Sequence, residues 1–236
     1  MNVVAVGCHP DDLEIGCGGT LAKLAEAGHR VAMVHVASGD KGHKVIPSER
    51  LREIRAKEAQ AAGALIGADV IGIGIPDLAV KADHDELIRE LAGVFRECRP
   101  DYIITHPPQD YMKDHMEVSH AVFDASFAAT IPHYQAKSSA AACSRIPPIY
   151  YMDTLAGIGF LPVEYVDISA HIETKIKMNA CHESQIGWLL EHDGIDFLEF
   201  VRTVSRFRGL QCGVGYAEGF TVCQAWPRLA PQRLLP

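Results

Sequence analysis

The sequence contains no cysteine pair in a C-x-x-C arrangement. Its seven cysteines, Cys8, Cys17, Cys98, Cys143, Cys181, Cys212 and Cys223, are odd in number and scattered. That pattern argues against a disulfide framework or a cysteine zinc cage and reads as reduced thiols in a cytoplasm. Positive charge is scarce: 22 Lys and Arg against 30 Asp and Glu leave a net charge of -8. A phosphate-backbone partner demands clustered cations, so nucleic acid is not expected as a partner. No apolar run approaches the ~20 residues that cross a bilayer, and no basic, then apolar leader precedes the first strand. A soluble, cytoplasmic protein with no membrane partner is the expectation. Low-complexity tracts, internal repeats and a domain linker are also missing. The glycines after the first strand, Gly16, Gly18 and Gly19, do not make a G-x-G-x-x-G fingerprint, and acids precede them. A dinucleotide cradle is therefore disfavoured.

What is present is an alternation of apolar, β-branched runs and amphipathic stretches across 236 residues, a length suited to one α/β domain spanning 1–236. Val3 to Val6 reads as a buried strand leading to a helical pattern from Thr20 to Ala27, with Gly28 as its stop. Val31 to Ala37 is a second strand, making a right-handed β-α-β unit. The polar loop Ser38 to Pro47 follows it and is a candidate substrate loop. Ser48 is positioned to cap a helix to about Leu65, and strands at Ala68 to Ile73 and Asp101 to Thr105 flank an amphipathic helix from Asp83 to Glu97. Met116 to Thr130 is helical by pattern. The proline- and serine-rich stretch from Ile131 to Pro148 reads as a surface excursion that covers the site or meets a partner subunit. Later strands are expected at Ile149 to Met152 and Tyr165 to Ile168, a helix from Ser169 or His171 to His182, a last helix from Phe197 to Phe207, and an extended tail from Tyr216 to Cys223.

Chemistry-bearing residues collect after two of these strands. The first turn carries Cys8-His9-Pro10-Asp11-Asp12-Leu13-Glu14, and the fourth strand runs into His106-Pro107-Pro108-Gln109-Asp110-Tyr111-Met112-Lys113-Asp114-His115. Open parallel sheets place ligands at strand carboxyl ends. A catalytic zinc wants three N or O ligands and one open position. His9 and Asp12, three apart in a tight turn, can reach one ion, and His115 is the best third ligand; His106 and His120 compete less well. For His106, a backbone bond near the proline turn is the favoured reading. Asp11 is left beside the ion as a general base for metal-bound water, while Asp114 holds an imidazole in its tautomer. Glu14 is assigned to stabilising the turn or the helix that follows. Arg55 with Glu58 reads, on spacing alone, as a helix-face ion pair, and Met112 as packing.

Taken together, His9-Pro10-Asp11-Asp12-Leu13-Glu14-Ile15-Gly16 with Gly18-Gly19-Thr20, then Arg55-x-x-Glu58-Ala59, Pro76-Asp77, Asp110-x-x-x-Asp114-His115 and His182-x-Ser184-Gln185, resemble the LmbE/PIG-L-like zinc deacetylases. The likeness runs from about Val3 to Gln185 and takes in the Arg208-Gly209 and Glu218-Gly219-Phe220 tail. It implies a Rossmann-like fold, mostly parallel with helices on both faces. It also implies one divalent ion per chain, usually zinc, and removal of acetyl from an N-acetylglucosamine-type amine in a small sugar or glycoconjugate. By the same resemblance His9, Asp12 and His115 are ligands, Asp11 the base, Asp114 a tuning residue and Arg55 a substrate contact, and homo-oligomers, hexamers among them, are expected.

One departure stands out. Many members read His-Pro-Asp-His where this chain has Met112-Lys113-Asp114-His115, and a thioether donates no proton. Asp11 is then expected to return the proton it takes to the leaving amine, with Tyr111 helping at the oxyanion. The alternatives are an amidase acting on a thiol conjugate or tailoring an antibiotic, or a non-catalytic metal-binding α/β protein.

Overall fold

The computed structural model describes residues 1–229. Seven strands and seven helices follow in the order β1 (Asn2–Gly7), α1 (Asp12–Glu26), β2 (Arg30–Ala37), α2 (Ser48–Ala64), β3 (Asp69–Ile75), α3 (Asp85–Cys98), β4 (Tyr102–Thr105), α4 (Lys113–Ala128), β5 (Ile149–Met152), β6 (Glu164–Asp167), α5 (Ile172–Ala180), α6 (Glu183–Asp193), α7 (Phe197–Cys212) and β7 (Ala217–Val222), with a 3-10 turn at Leu155–Gly157. They build one sheet ordered β3-β2-β1-β4-β5-β7-β6. The first five strands are parallel, and β7 runs antiparallel to both β5 and β6.

Both faces of the sheet are covered, and β1 shows how. Val4 and Val6 enter one core with Leu91 and Phe95 of α3 and Val118 and Val122 of α4. Val3 and Ala5 enter the other, with Leu13 and Leu21 of α1, Ala62 of α2 and Met178 of α5. A strand buried on both sides must be apolar throughout, which is why β1 reads as an unbroken hydrophobic run. Chain order reverses between β1 and β4, so a crevice opens at their carboxyl ends, where such folds bind ligands.

Three expectations are corrected. Helix α1 starts at Asp12, not near Thr20, so the glycines lie inside it. They make room: a Cβ at Gly16 would sit 2.6 Å from Met152 Sδ, and one at Gly19 would sit 2.7 Å from Ile168 Cδ1. Ser48 is the first helical residue of α2 and caps nothing; Pro47 takes the cap position. The stretch from 131 to 148 is irregular as expected but lies along α3, where Arg96 donates to the carbonyls of Ala129 and Ile131. None of its residues lines the cleft described below. No helix among the described residues is long and apolar enough to cross a membrane.

Candidate active site

The turn after β1 is built on a conformation that ordinary residues avoid. Asp11 has φ 115° and ψ -28°, a left-handed geometry that costs a residue with a Cβ about 1–3 kcal/mol. Its neighbours hold it there. The Asp11 carbonyl accepts the Ile15 N–H at 2.9 Å as α1 begins, and Asp12 Oδ2 accepts the His9 N–H at 2.6 Å. Arg55, 3% exposed, reaches across from α2 to donate to the Pro10 carbonyl and stand 2.9 Å from Asp11 Oδ2. Gly39, at φ 71°, permits that reach, because a Cβ there would fall 2.6 Å from Arg55 Cδ. The helix-face pair of Arg55 with Glu58 does not form: Glu58 instead accepts the Ser184 N–H and hydroxyl at 2.8 and 2.7 Å.

Asp12 Oδ2 is the meeting point of the two strand-end turns. His9 Nδ1 and His115 Nε2 each lie 3.4 Å from it, and His106 Nε2 lies 3.3 Å away. His115 sits in the first turn of α4 with its Nδ1 3.2 Å from Asp110 Oδ1, which leaves Nε2 facing Asp12. His106 Nε2 accepts the Cys8 N–H at 3.0 Å, so its lone pair is already engaged. His120 is exposed on α4, outside the cluster. Asp114 Oδ2 accepts the Leu78 N–H at 2.6 Å and lies 3.6 Å from His9 Nε2. Met112 is half-buried on the cleft wall, and Tyr111 is 66% exposed, its ring centroid 5.5 Å from that of His115.

Several contributors were given no role from the sequence, although Asp77 and Asp110 stand in the motifs that carry the resemblance. Asp77 accepts the N–H groups of Gly39 and Lys41 at 2.8 and 3.0 Å and so ties the loop after β2 to the site. Asp110 holds both His115 and the Met112 N–H. Glu14 lies in the first turn of α1, as expected, and is also fully buried against fully buried His182, Nε2 to Oε1 3.1 Å. Only the His182-x-Ser184-Gln185 motif hinted at that partner.

Electrostatics separate the two adjacent acids. Burial pushes the Asp11 carboxyl up to about 6, with Arg55 opposing and Asp12 adding to the rise. For Asp12, burial is outweighed by His115 and His106, which hold it well below the usual carboxylate range. Burial disfavours charge on His9, yet Asp114 and Asp12 raise its ring well above the ordinary imidazole value. Against burial, Asp12 and Asp110 likewise raise His115. The carboxylates draw positive charge into the centre, as a cation site must. The donor chemistry fits a divalent ion. Two groups of close ligand atoms, Cys8-His9-Asp12 and Asp12-His106-His115, share Asp12. Burial lifts the Cys8 thiol to about 12, and His106 Nε2 is engaged by the Cys8 N–H.

Residues 4–126 of the 236 match the family described as PIG-L: GlcNAc-PI de-N-acetylase. The chain belongs to the PIG-L family. The matched stretch holds both strand-end turns. Over 92% of its length the chain is 26% identical to the 4-oxalmesaconate hydratase of Pseudomonas putida, covering 87% of that one. It is 27% identical to the diacetylchitobiose deacetylase of Thermococcus kodakarensis, over 92% and 81%. The N,N'-diacetylchitobiose deacetylase from Pyrococcus horikoshii superposes with a TM-score of 0.81 at 25% identity, covering 94% of this chain and 83% of that one. Membership in PIG-L thus comes with a fold shared along nearly the whole length.

Proposed function

We propose that the cleft hydrolyses the N-acetyl amide of an amino sugar or glycoconjugate, with one zinc ion held by His9, Asp12 and His115. The observation that carries this reading is the division between adjacent carboxylates: Asp12 Oδ2 faces three imidazoles, while Asp11 Oδ2 stands 2.9 Å from the Arg55 guanidinium in the same cleft. The PIG-L match and the diacetylchitobiose deacetylases support it. A divalent ion in such a site polarises the scissile carbonyl and acidifies the attacking water.

The chain's own groups do the rest. Asp11 takes a proton from water as its oxygen bonds to the acetyl carbon, then delivers that proton to the nitrogen as the C–N bond breaks, releasing acetate and a free amine. Arg55 fixes the Asp11 carboxylate and the Pro10 carbonyl, Asp110 and Asp114 hold the two imidazoles, and the Tyr111 hydroxyl at the rim hydrogen-bonds the developing oxyanion. Met112 forms apolar wall and carries no proton. We place the enzyme in the cytoplasm as a homo-oligomer; the exposed apolar side chains Ile158, Leu161 and Val163 support self-association.

The Pseudomonas relative raises a second reading, addition of water to the double bond of an acidic substrate. A polyanion would need free cations in the cleft. Lys41 stands 3.0 Å from Asp40 and Arg55 stands 2.9 Å from Asp11, so the amide reading is favoured. Acetate release from N-acetylglucosamine and diacetylchitobiose by zinc-loaded protein tests it, with Asp11→Asn as control. Hydration of 4-oxalmesaconate without any acetate release would replace it.

A further inference from the structure

The cleft measures about 390 Å³, within the range that encloses a drug-sized ligand and far larger than an acetyl group needs. The turn residues and their carboxylates line part of it, and Ile15, Met152, Leu155, Leu189, Phe197 and Phe200 are also among its lining residues. Among these, Ile15 lies one helical turn beyond Asp11 and donates its N–H to the Asp11 carbonyl at 2.9 Å, and Leu155 is 39% exposed. Asp153, which also lines the cleft, is engaged by Arg208, whose Nε and Nη2 lie 2.5 and 3.0 Å from its oxygens. A bare sugar ring presents hydroxyls that need polar partners, and six apolar side chains around one engaged carboxylate supply few.

We infer that the amine half of the substrate carries an apolar group, aromatic or branched aliphatic, which lies along Ile15, Leu189 and Phe200 while the acetyl end faces Asp11. This rests on the deacetylase reading: with the acyl group fixed as acetyl, the remaining volume belongs to the amine component. An apolar substituent buried there gains what a ring or branched side chain gains on leaving water, which corresponds to roughly 10- to 100-fold in affinity.

The experiment compares N-acetylglucosamine with its phenyl and cyclohexyl glycosides. Acetate release by the zinc-loaded protein gives kcat/KM, and calorimetry gives Kd for the same three compounds. The expected result is a kcat/KM about 10- to 100-fold higher for at least one apolar glycoside, with that ratio falling at least about fivefold in Phe200→Ala and in Leu189→Asn. Phenyl ahead of cyclohexyl identifies an aromatic group, and the reverse an aliphatic one. Equal kcat/KM and equal Kd for all three compounds in the wild type overturn the inference without any variant. If no compound releases acetate, yet an apolar glycoside binds at least about 10-fold tighter than the bare sugar, the deacetylase reading fails and the apolar subsite stands.

Discussion

Removing the Asp11 side chain in two ways separates its chemistry from its backbone. Asp11→Ala and Asp11→Gly both lose the carboxylate and its ion pair with Arg55, so they differ only in whether a Cβ occupies a residue at φ 115°. At an ordinary helix position alanine is the more stable choice by about 0.5–1 kcal/mol. Here the order should invert. Relief of left-handed strain is worth about 1–3 kcal/mol, and the extra freedom of glycine in the unfolded chain returns about 0.4–1 kcal/mol of that. The net expectation is Asp11→Gly above Asp11→Ala by about 1 kcal/mol, which for a chain of this size is a Tm difference of about 2–4 °C by calorimetry. Acetate release should fall on the order of 10²- to 10⁴-fold in both. An alanine variant as stable as the glycine one would refute the strain argument; retained hydrolysis in either would refute the base assignment and leave the strain result intact.

Other positions give sharper tests of single contacts. Arg55→Ala leaves the Asp11 carboxylate buried without its partner and should destabilise the protein by about 3–5 kcal/mol in urea unfolding, whereas Glu58→Ala, which breaks only contacts to Ser184, should cost about 1–2 kcal/mol. Asp110→Asn frees the Nδ1 side of His115 and should weaken zinc binding about 10- to 100-fold in competition with a chelating dye, with little change in Tm of the metal-free protein. Met112→Leu keeps the apolar wall and removes only a thioether; kcat within about twofold of the parent is expected, and a large loss would mean that Met112 does more than pack.

The sequence made the site's edges visible and hid its supports, for a physical reason. His9, Asp12 and His115 are legible because strand ends concentrate them into short runs, and a period-free apolar stretch such as Val3 to Val6 announces a doubly covered strand. Pairings across the fold leave no such trace. Arg55 is three residues from Glu58 and forty-four from Asp11, yet burial places it against Asp11. Glu14 finds His182 only because α5 and α6 return to the turn. Helix α1 begins ahead of its periodic pattern because three glycines in four residues, Gly16, Gly18 and Gly19, lower helix propensity, and the packing that overrides this comes from Met152 and Ile168, far along the chain. The antiparallel insertion of β7 between β5 and β6 is likewise a tertiary choice.

That glycine-rich helix explains why the end of the chain matters to a turn at its beginning. Glycines let α1 press against β5 and the residue after β6, but they also weaken it as a helix. Glu218 of β7 meets the weakness directly, accepting the backbone N–H groups of Gly19 and Thr20 at 2.9 and 2.7 Å. Lys175 of α5 stands 2.6 Å from the same carboxylate, so the acid is neutralised where water cannot reach it. Asn179, one turn further along α5, donates to the Glu14 carbonyl at 3.0 Å. The first turn of α1 and its middle are thus fastened to one helix and one strand from the last third of the chain. Asp11 and Asp12, at the head of α1, can keep a strained geometry only if the helix behind them does not shift, and these buried contacts are what prevent it.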